Sequence, residues 1–371
     1  MSKTKDVKHN REPLFHLVKR IEMKWWQAWL VRIAAIVLAM LLLGVISMVL
    51  TKENFFKIYE TMYRGTFGKL ETGSTVMLWK FLQKTAILLG LSLAVTPAFK
   101  MKFWNCGAEG QALVGGLASM ICMIELGEVL PYPLLLLVIF VTSTLAGAVW
   151  GVLPALFKAQ YNTNETLFTL MMNYVATQII KYYLYIKGGG SNKIEPVDYG
   201  NLPVIGNNEY ALNVILVLVI TVLLFIYMNY SKHGYEISVV GESQNTARYI
   251  GINVKKVIIR TMIISGAMCG VVGMLLVAGT NHSIDTNTVG GQGFTAIMVS
   301  WLAQFNPFVM IFMSALVNFL NLGSAKVADS CGLNSSYADI SVGIVILFVV
   351  GCEFFIRYKI KFRQSKKEVK A

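Results

Sequence analysis

The sequence predicts an all-α, polytopic membrane helix bundle of about ten transmembrane helices. Three observations carry that expectation. Of 371 residues, 55% are hydrophobic and only 14% charged, where soluble domains carry about 25% charged residues. Several apolar runs reach the roughly 20 residues needed to cross a bilayer. The runs are also continuous, whereas a membrane β-barrel would alternate apolar and polar residues over segments of about ten. The net charge of +13 does not point to nucleic acid, because its placement is that of a membrane protein. Lys3, Lys5, Lys8, Arg11, Lys19, Arg20, Lys24 and Arg32 precede or open the first apolar run, and Arg357, Lys359, Lys361, Arg363, Lys366, Lys367 and Lys370 follow the last. That is the positive-inside pattern, and it suits anionic membrane lipid.

Taken in order, residues 1–30 read as a basic cytoplasmic N-terminal arm, 31–357 as the transmembrane domain and 358–371 as a basic cytoplasmic tail. Trp25, Trp26 and Trp29 suit the headgroup layer. The first span, 31–50, lacks a small-x-small cleavage site and is expected to stay as an anchor. In the outer stretch 51–78, Phe55, Tyr59, Met62, Tyr63 and Phe67 recur at helical spacing, so this piece either lies flat on the membrane or packs on the bundle. The second span, 79–99, runs inward to Lys100 and Lys102. A third leaves Gly107–Gln111 and ends near Gly127, with a short outer turn after it. The fourth, 134–157, carries Gly147 and Gly151 on a close-packing face. The fifth, 165–186, holds Asn173. A longer outer loop, 187–210, leads to the sixth span, 211–230. Residues 231–256 form the longest cytoplasmic segment. The seventh span, 257–279, has Gly266, Gly270 and Gly273 for close packing. Residues 281–291 lie outside. Segments 294–305 and 307–322 join at Asn306-Pro307; the first is too short for an ordinary crossing and is either a tilted span or a re-entrant piece whose ends protein must cover. The last span is 338–356. Counted this way, both termini are cytoplasmic.

No enzyme is legible. HExxH, GxSxG and paired cysteine ligands are missing from the sequence, and Cys106, Cys122, Cys269, Cys331 and Cys352 are scattered. The four histidines fall outside the expected spans. There is no GxxxxGK[ST] phosphate loop; Gly65-Thr-Phe-Gly68-Lys69-Leu70 has the wrong spacing. Any energy from ATP must therefore come from another chain.

Polar residues next to hydrocarbon-length runs are the candidate site. Asn105-Cys-Gly107-Ala-Glu109-Gly-Gln111 stands between two such runs, where an ionisable group costs about 2.5–3.5 kcal/mol at the membrane centre. Glu109 falls in the first turn of the next helix, where the macrodipole favours it. These residues either cap and pack that helix or line a translocation path, together with Asn173 and Gln292. Gly290-Gly-Gln292-Gly-Phe294 opens a later helix, expected on the opposite membrane face, which is what an inverted repeat would give. In the cytoplasmic segment, Ser243 can cap a short helix ended by Gly251, with Arg248 and Tyr249 exposed. That helix either merely connects two spans or docks a partner.

Asn105–Gln111 resembles the Asn-Ile-Gly-Ala-Glu-Gly-Gln signature of nucleoside-type ABC importer permeases, within the ribose and branched-chain amino acid permease superfamily; Cys106 replaces the Ile. Asn164-Glu165-Thr-Leu-Phe-Thr-Leu-Met-Met-Asn173-Tyr174 is similar to a second run of that family. Gly241–Ile252 resembles its coupling segment, with Ser243 in place of Asn and Thr246 in place of Ala. The resemblance covers about 59–351. It implies a repeat relating spans two to five to seven to ten, and ATPase coupling through Gly241, Ser243, Ala247, Arg248, Tyr249 and Gly251. It further implies an ABC ATPase subunit that binds ATP and Mg, no cofactor in this chain, a second permease subunit of a related but different chain, and an extracytoplasmic substrate-binding lipoprotein. The expected location is the bacterial plasma membrane and the expected solute a nucleoside. Ribose-like sugars come next, and an ion-coupled secondary transporter using Glu109 or Glu165 is the remaining alternative.

Overall fold

The computed structural model describes residues 15–20, 24–68, 75–206 and 208–362. The first four basic residues of the arm, the last four of the tail, and Lys69-Leu70 lie outside them. The described residues form thirteen α-helices, a π-helical turn (Val277–Asn281) that extends the tenth of them, and one short ribbon. In chain order the helices are α1 (Trp25–Thr51), α2 (Phe55–Phe67), α3 (Val76–Lys100), α4 (Ala108–Leu126), α5 (Tyr132–Tyr161), α6 (Glu165–Lys187), α7 (Ala211–Tyr230), α8 (Lys232–Glu242), α9 (Gln244–Tyr249), α10 (Val254–Leu276), α11 (Gln292–Leu302), α12 (Pro307–Cys331) and α13 (Ser336–Arg357). Eight of them are long and apolar enough to cross a membrane. The expected ten depends on two more: α6, which is long enough but less apolar, and α11, with 11 residues. At 1.5 Å per residue α11 covers about 16 Å, roughly half the hydrocarbon core.

Local sequence sets many of the helix starts. Asn164, Asn253 and Asn306 each accept a backbone N–H of the first turn, at 3.1, 3.1 and 3.0 Å, and Pro307 occupies the first helical position of α12, where no N–H is needed. α12 continues past the expected end at 322, because Gly323, Ser324, Val327 and Ala328 form a buried stripe that packs on α2. On α2 the partners are Ile58, Met62 and Thr66, one helical turn apart. The amphipathic outer stretch is thus a packed helix. α1 starts inside the tryptophan cluster, earlier than 31, and packs on α13, where Arg32 pairs with Glu353 at 2.7 Å.

α3 and α10 are the most enclosed spans of the eight. They lie antiparallel, since Gly90 faces Val272 while Gln83 hydrogen-bonds Thr280. α4 and α5 close against α10 through small residues. A Cβ on Gly147 would stand 2.3 Å from the Gly266 carbonyl oxygen, and one on Gly115 2.5 Å from the Gly270 Cα. The backbones therefore touch, which only glycine allows. One departure from an all-α chain is small: β1 (Phe15–Lys19) pairs antiparallel with β2 (Tyr358–Phe362), bringing both ends of the described chain together.

Candidate functional site: where two helices begin

Beyond Lys100 the chain turns back into the bundle, with Lys102 at a left-handed φ of 60°, and residues 103–107 reach α4 as irregular backbone. Asn105 is fully buried. Its Nδ2 donates to Ser265 Oγ on α10 (3.1 Å) and to Gln111 Oε1 (3.3 Å), and its Oδ1 accepts from Gly107 N and Gln111 Nε2, both at 3.1 Å. Asn173 on α6 closes the other side. Its Oδ1 accepts from Gly110 N and its Nδ2 donates to the Cys106 carbonyl, both at 2.9 Å. Gly107, at the helix start, has no side chain to cap with, so neighbours supply the acceptors for the free N–H groups of α4. Asn105, Gly107, Gln111 and Asn173 are thus brought together, with their amide groups bonded to one another and to backbone. Ser265 stands midway along α10, so this network lies about 16 Å from either end of that helix.

Glu109 joins the network to α11. Its Oε1 accepts from Gly291 N at 2.8 Å and its Oε2 from Gly293 N at 2.7 Å. These are N–H groups at the start of α11, which its own backbone cannot satisfy. Gly291 holds φ 75°, and a Cβ on Gly293 would lie 2.5 Å from Glu109 N, so both glycines are needed for this approach. The carboxylate sits in the first turn of α4 and at the head of α11, two positive dipole ends at once. The helices then diverge. α4 runs parallel to α10, as Gly115 meets Gly270 and Gly116 meets Val277. α11 runs with α3, as Ser300 meets Thr96 (3.0 Å) and Trp301 meets Phe99. Since α3 and α10 are antiparallel, α4 and α11 leave their shared contact in opposite directions. The two glycine motifs, expected on opposite membrane faces, meet inside the bundle because each follows an irregular segment that re-enters it. Sequence reasoning missed this pairing, as it missed Ser265 and Thr169, whose Oγ1 accepts from Cys106 N at 3.2 Å. The only signal for it was the pair of glycine-rich openings, Gly107–Gln111 and Gly290–Phe294. Gln292 begins α11 next to Glu109, and its Oε1 is buried without a partner among the described residues.

Glu165 is engaged as well, with Lys158 at 2.8 Å. Neither acid weighed for ion coupling is therefore without a bonding partner.

On the face that carries α8 and α9, Ser243 Oγ accepts from Thr246 N (3.2 Å), Gly251 holds φ 85°, and Ile252 N returns to the Ala247 carbonyl at 2.9 Å. This is the expected short helix with a left-handed glycine end. Ala247 is buried; Arg248 and Ile250 are exposed and Tyr249 is 93% exposed. Gly241 abuts the Lys100 carbonyl, 2.1 Å from an added Cβ, so α8 rests directly on the end of α3. Glu236 of α8 bonds Arg260 of α10 at 2.8 Å. The Arg260 guanidinium, with His233 beside it, holds the Glu236 carboxyl below the usual carboxylate range.

The family described as "Branched-chain amino acid transport system / permease component" matches residues 77–350. The chain belongs to this permease family. It is 29% identical over 349 residues to the guanosine ABC transporter permease protein NupP of Bacillus subtilis, covering 91% of this chain and 96% of that one. To the glucose ABC transporter permease protein TsgB13 of Haloferax volcanii it is 27% identical, over 87% and 88% of the two chains. To the nucleoside ABC transporter permease protein NupB of Lactococcus lactis it is 24% identical, over 86% and 90%. The chain is thus a multi-pass permease component.

Proposed function

We propose that this permease is the membrane subunit of a plasma-membrane ABC importer that carries nucleosides, energised by a separate ATPase. The observation that carries the reading is similarity to the guanosine permease over nearly the whole of both chains. The mildly polar mid-depth network supports it, since amides and hydroxyls suit a neutral hydrogen-bonding solute better than an anion, which would call for Arg or Lys. Likeness to a glucose permease favours a sugar as the second reading. The test is uptake of labelled guanosine, adenosine and uridine by cells carrying the complete transporter, with excess cold glucose, ribose or leucine. Nucleoside uptake that the sugars do not inhibit is expected. Sugar uptake with no nucleoside transported or competing would move the assignment to sugars.

The ATPase docks on α9, through Arg248 and Tyr249, with Gly241, Ser243, Ala247 and Gly251 shaping the knob. ATP and Mg bind that subunit. A related second permease completes the path and an extracytoplasmic lipoprotein delivers the solute. Arg248→Glu is expected to leave expression and insertion near normal while abolishing solute-stimulated ATP hydrolysis; wild-type transport by that variant would refute the docking assignment. Within the path, Gln292 meets the solute, while Asn105, Gly107, Glu109, Gln111 and Asn173 shape the wall around it. Both termini are cytoplasmic. The β1–β2 ribbon supports that reading, because it puts the two ends on one side. In a cysteine-free background an impermeant thiol reagent on intact cells should label Asn201→Cys and spare Gln244→Cys; the reverse pattern would invert the topology.

A further inference from the structure

We infer that one face of this subunit, formed by residues 286–291 and the outward stripe of α11, is turned away from lipid and walls a water-filled path against the second permease chain. The inference rests on the importer reading but not on which solute is carried. Residues 282–291 start beside the 188–210 loop, where Ile194 N reaches the Ile284 carbonyl (3.1 Å) and Val197 N the His282 carbonyl (2.9 Å). They end at Glu109, midway along the span. Over that descent the backbone is not helical. Asn287 and Gly290 are exposed, and Thr286 and Thr288 are half-buried.

Lipid cannot cover such a surface. Irregular backbone at membrane depth is tolerated only where protein buries it or water reaches it. α7 shows the contrast. Its outward residues Ile215, Leu218, Val219, Val222 and Leu223 are all aliphatic and exposed on an unbroken helix, as a lipid-facing surface requires. The α11 stripe adjoins that polar segment and carries aromatic and thioether groups rather than aliphatic ones. Phe294, Met298 and Trp301, spaced by four and three residues, are each more than 40% exposed, and Trp301 stacks on the equally exposed Trp104 at 5.3 Å. The other side of α11, with Gly293, Ala296, Val299 and Ser300, is buried. One continuous face therefore runs from polar glycine loop to aromatic pair, with the half-buried Glu109 beside its middle. A second permease chain placed opposite leaves water, and a neutral solute, at the polar part. It also shields the broken helix end from hydrocarbon.

The test uses the complete complex in membranes, with native cysteines replaced and single cysteines at Asn287, Met298 and, as a lipid-face control, Val222. Each is read with a water-soluble and a lipid-soluble maleimide, with and without ATP. Asn287→Cys and Met298→Cys should react with the water-soluble reagent at least tenfold faster than Val222→Cys in at least one nucleotide state, and Met298→Cys should cross-link to the second permease with a bifunctional reagent. If Met298→Cys reacts only with the lipid-soluble reagent, as Val222→Cys does, the stripe faces lipid and the inference fails. Cross-linking without water-soluble labelling in either state would make the face a dry subunit contact and overturn the path. Because labelling is read without solute, failure of the nucleoside assignment alone would leave these results unchanged.

Discussion

Two helices start at the Glu109 carboxylate, and they are held there by different means. The head of α4 is fixed by side chains from four directions: Asn105 in the preceding loop, Gln111 on α4 itself, Asn173 on α6 and Ser265 on α10. The body of α4 is then clamped on α10 through glycine contacts. The head of α11 rests on one carboxylate, behind two glycines in left-handed backbone. Its body leans on α3 through one hydroxyl pair and aromatic edges. The two helix starts are therefore not held alike. One is a wall tied down by several elements, and the other is held by one carboxylate and by the packing of α11 on α3.

The sharpest way to break this comparison is to attack the wall. Gly115→Val places a Cβ against the Gly270 backbone of α10, so a loss of about 3 kcal/mol is expected, seen as collapse of folded yield in detergent. A well-folded variant would show that the clamp is loose. Asn105→Ala comes next. It strips partners from Gln111, Ser265 and Gly107, and each orphaned buried group costs about 1–3 kcal/mol, so thermal unfolding should shift by several degrees or more.

Glu109→Gln is expected to act more gently and more locally. One oxygen still accepts an N–H, but the amide nitrogen meets a second donor, at a cost of about 1–3 kcal/mol. Hydrogen exchange should quicken across residues 286–296 while α4 stays protected. Equal loosening of α4 would erase the asymmetry. Gly251→Ala forces a side chain into left-handed backbone with open space around it, which costs about 1–2 kcal/mol. It should uncouple ATP hydrolysis from transport before it affects folded yield.

The smallest effect concerns the Glu236–Arg260 tie between α8 and α10. Glu236 ionises more easily when folded. Its contribution is therefore fully present above the unfolded value of about 4.3 and is lost as pH falls through the lower folded value. The stability difference between wild type and Glu236→Gln should shrink between pH 6 and pH 3.5, measured by thermal unfolding.

Composition and apolar run length determined the membrane bundle, because hydrocarbon admits few alternatives to long helices. Local signals also determined the α9 knob: Ser243 and Gly251 act on neighbours a few residues away, so their spacing alone specifies a start and a stop. The glycines at 147, 266 and 270 were legible as packing faces, though not as partners of one another. Only the tertiary structure decided what Glu109 does. Its partners lie 182 and 184 residues later in the chain, and no periodicity reports a contact made where two re-entrant segments meet. It likewise decided that Asn105, Gln111 and Asn173 bond to one another. A buried amide and a path-lining amide are the same residue in sequence, and they differ only in what surrounds them.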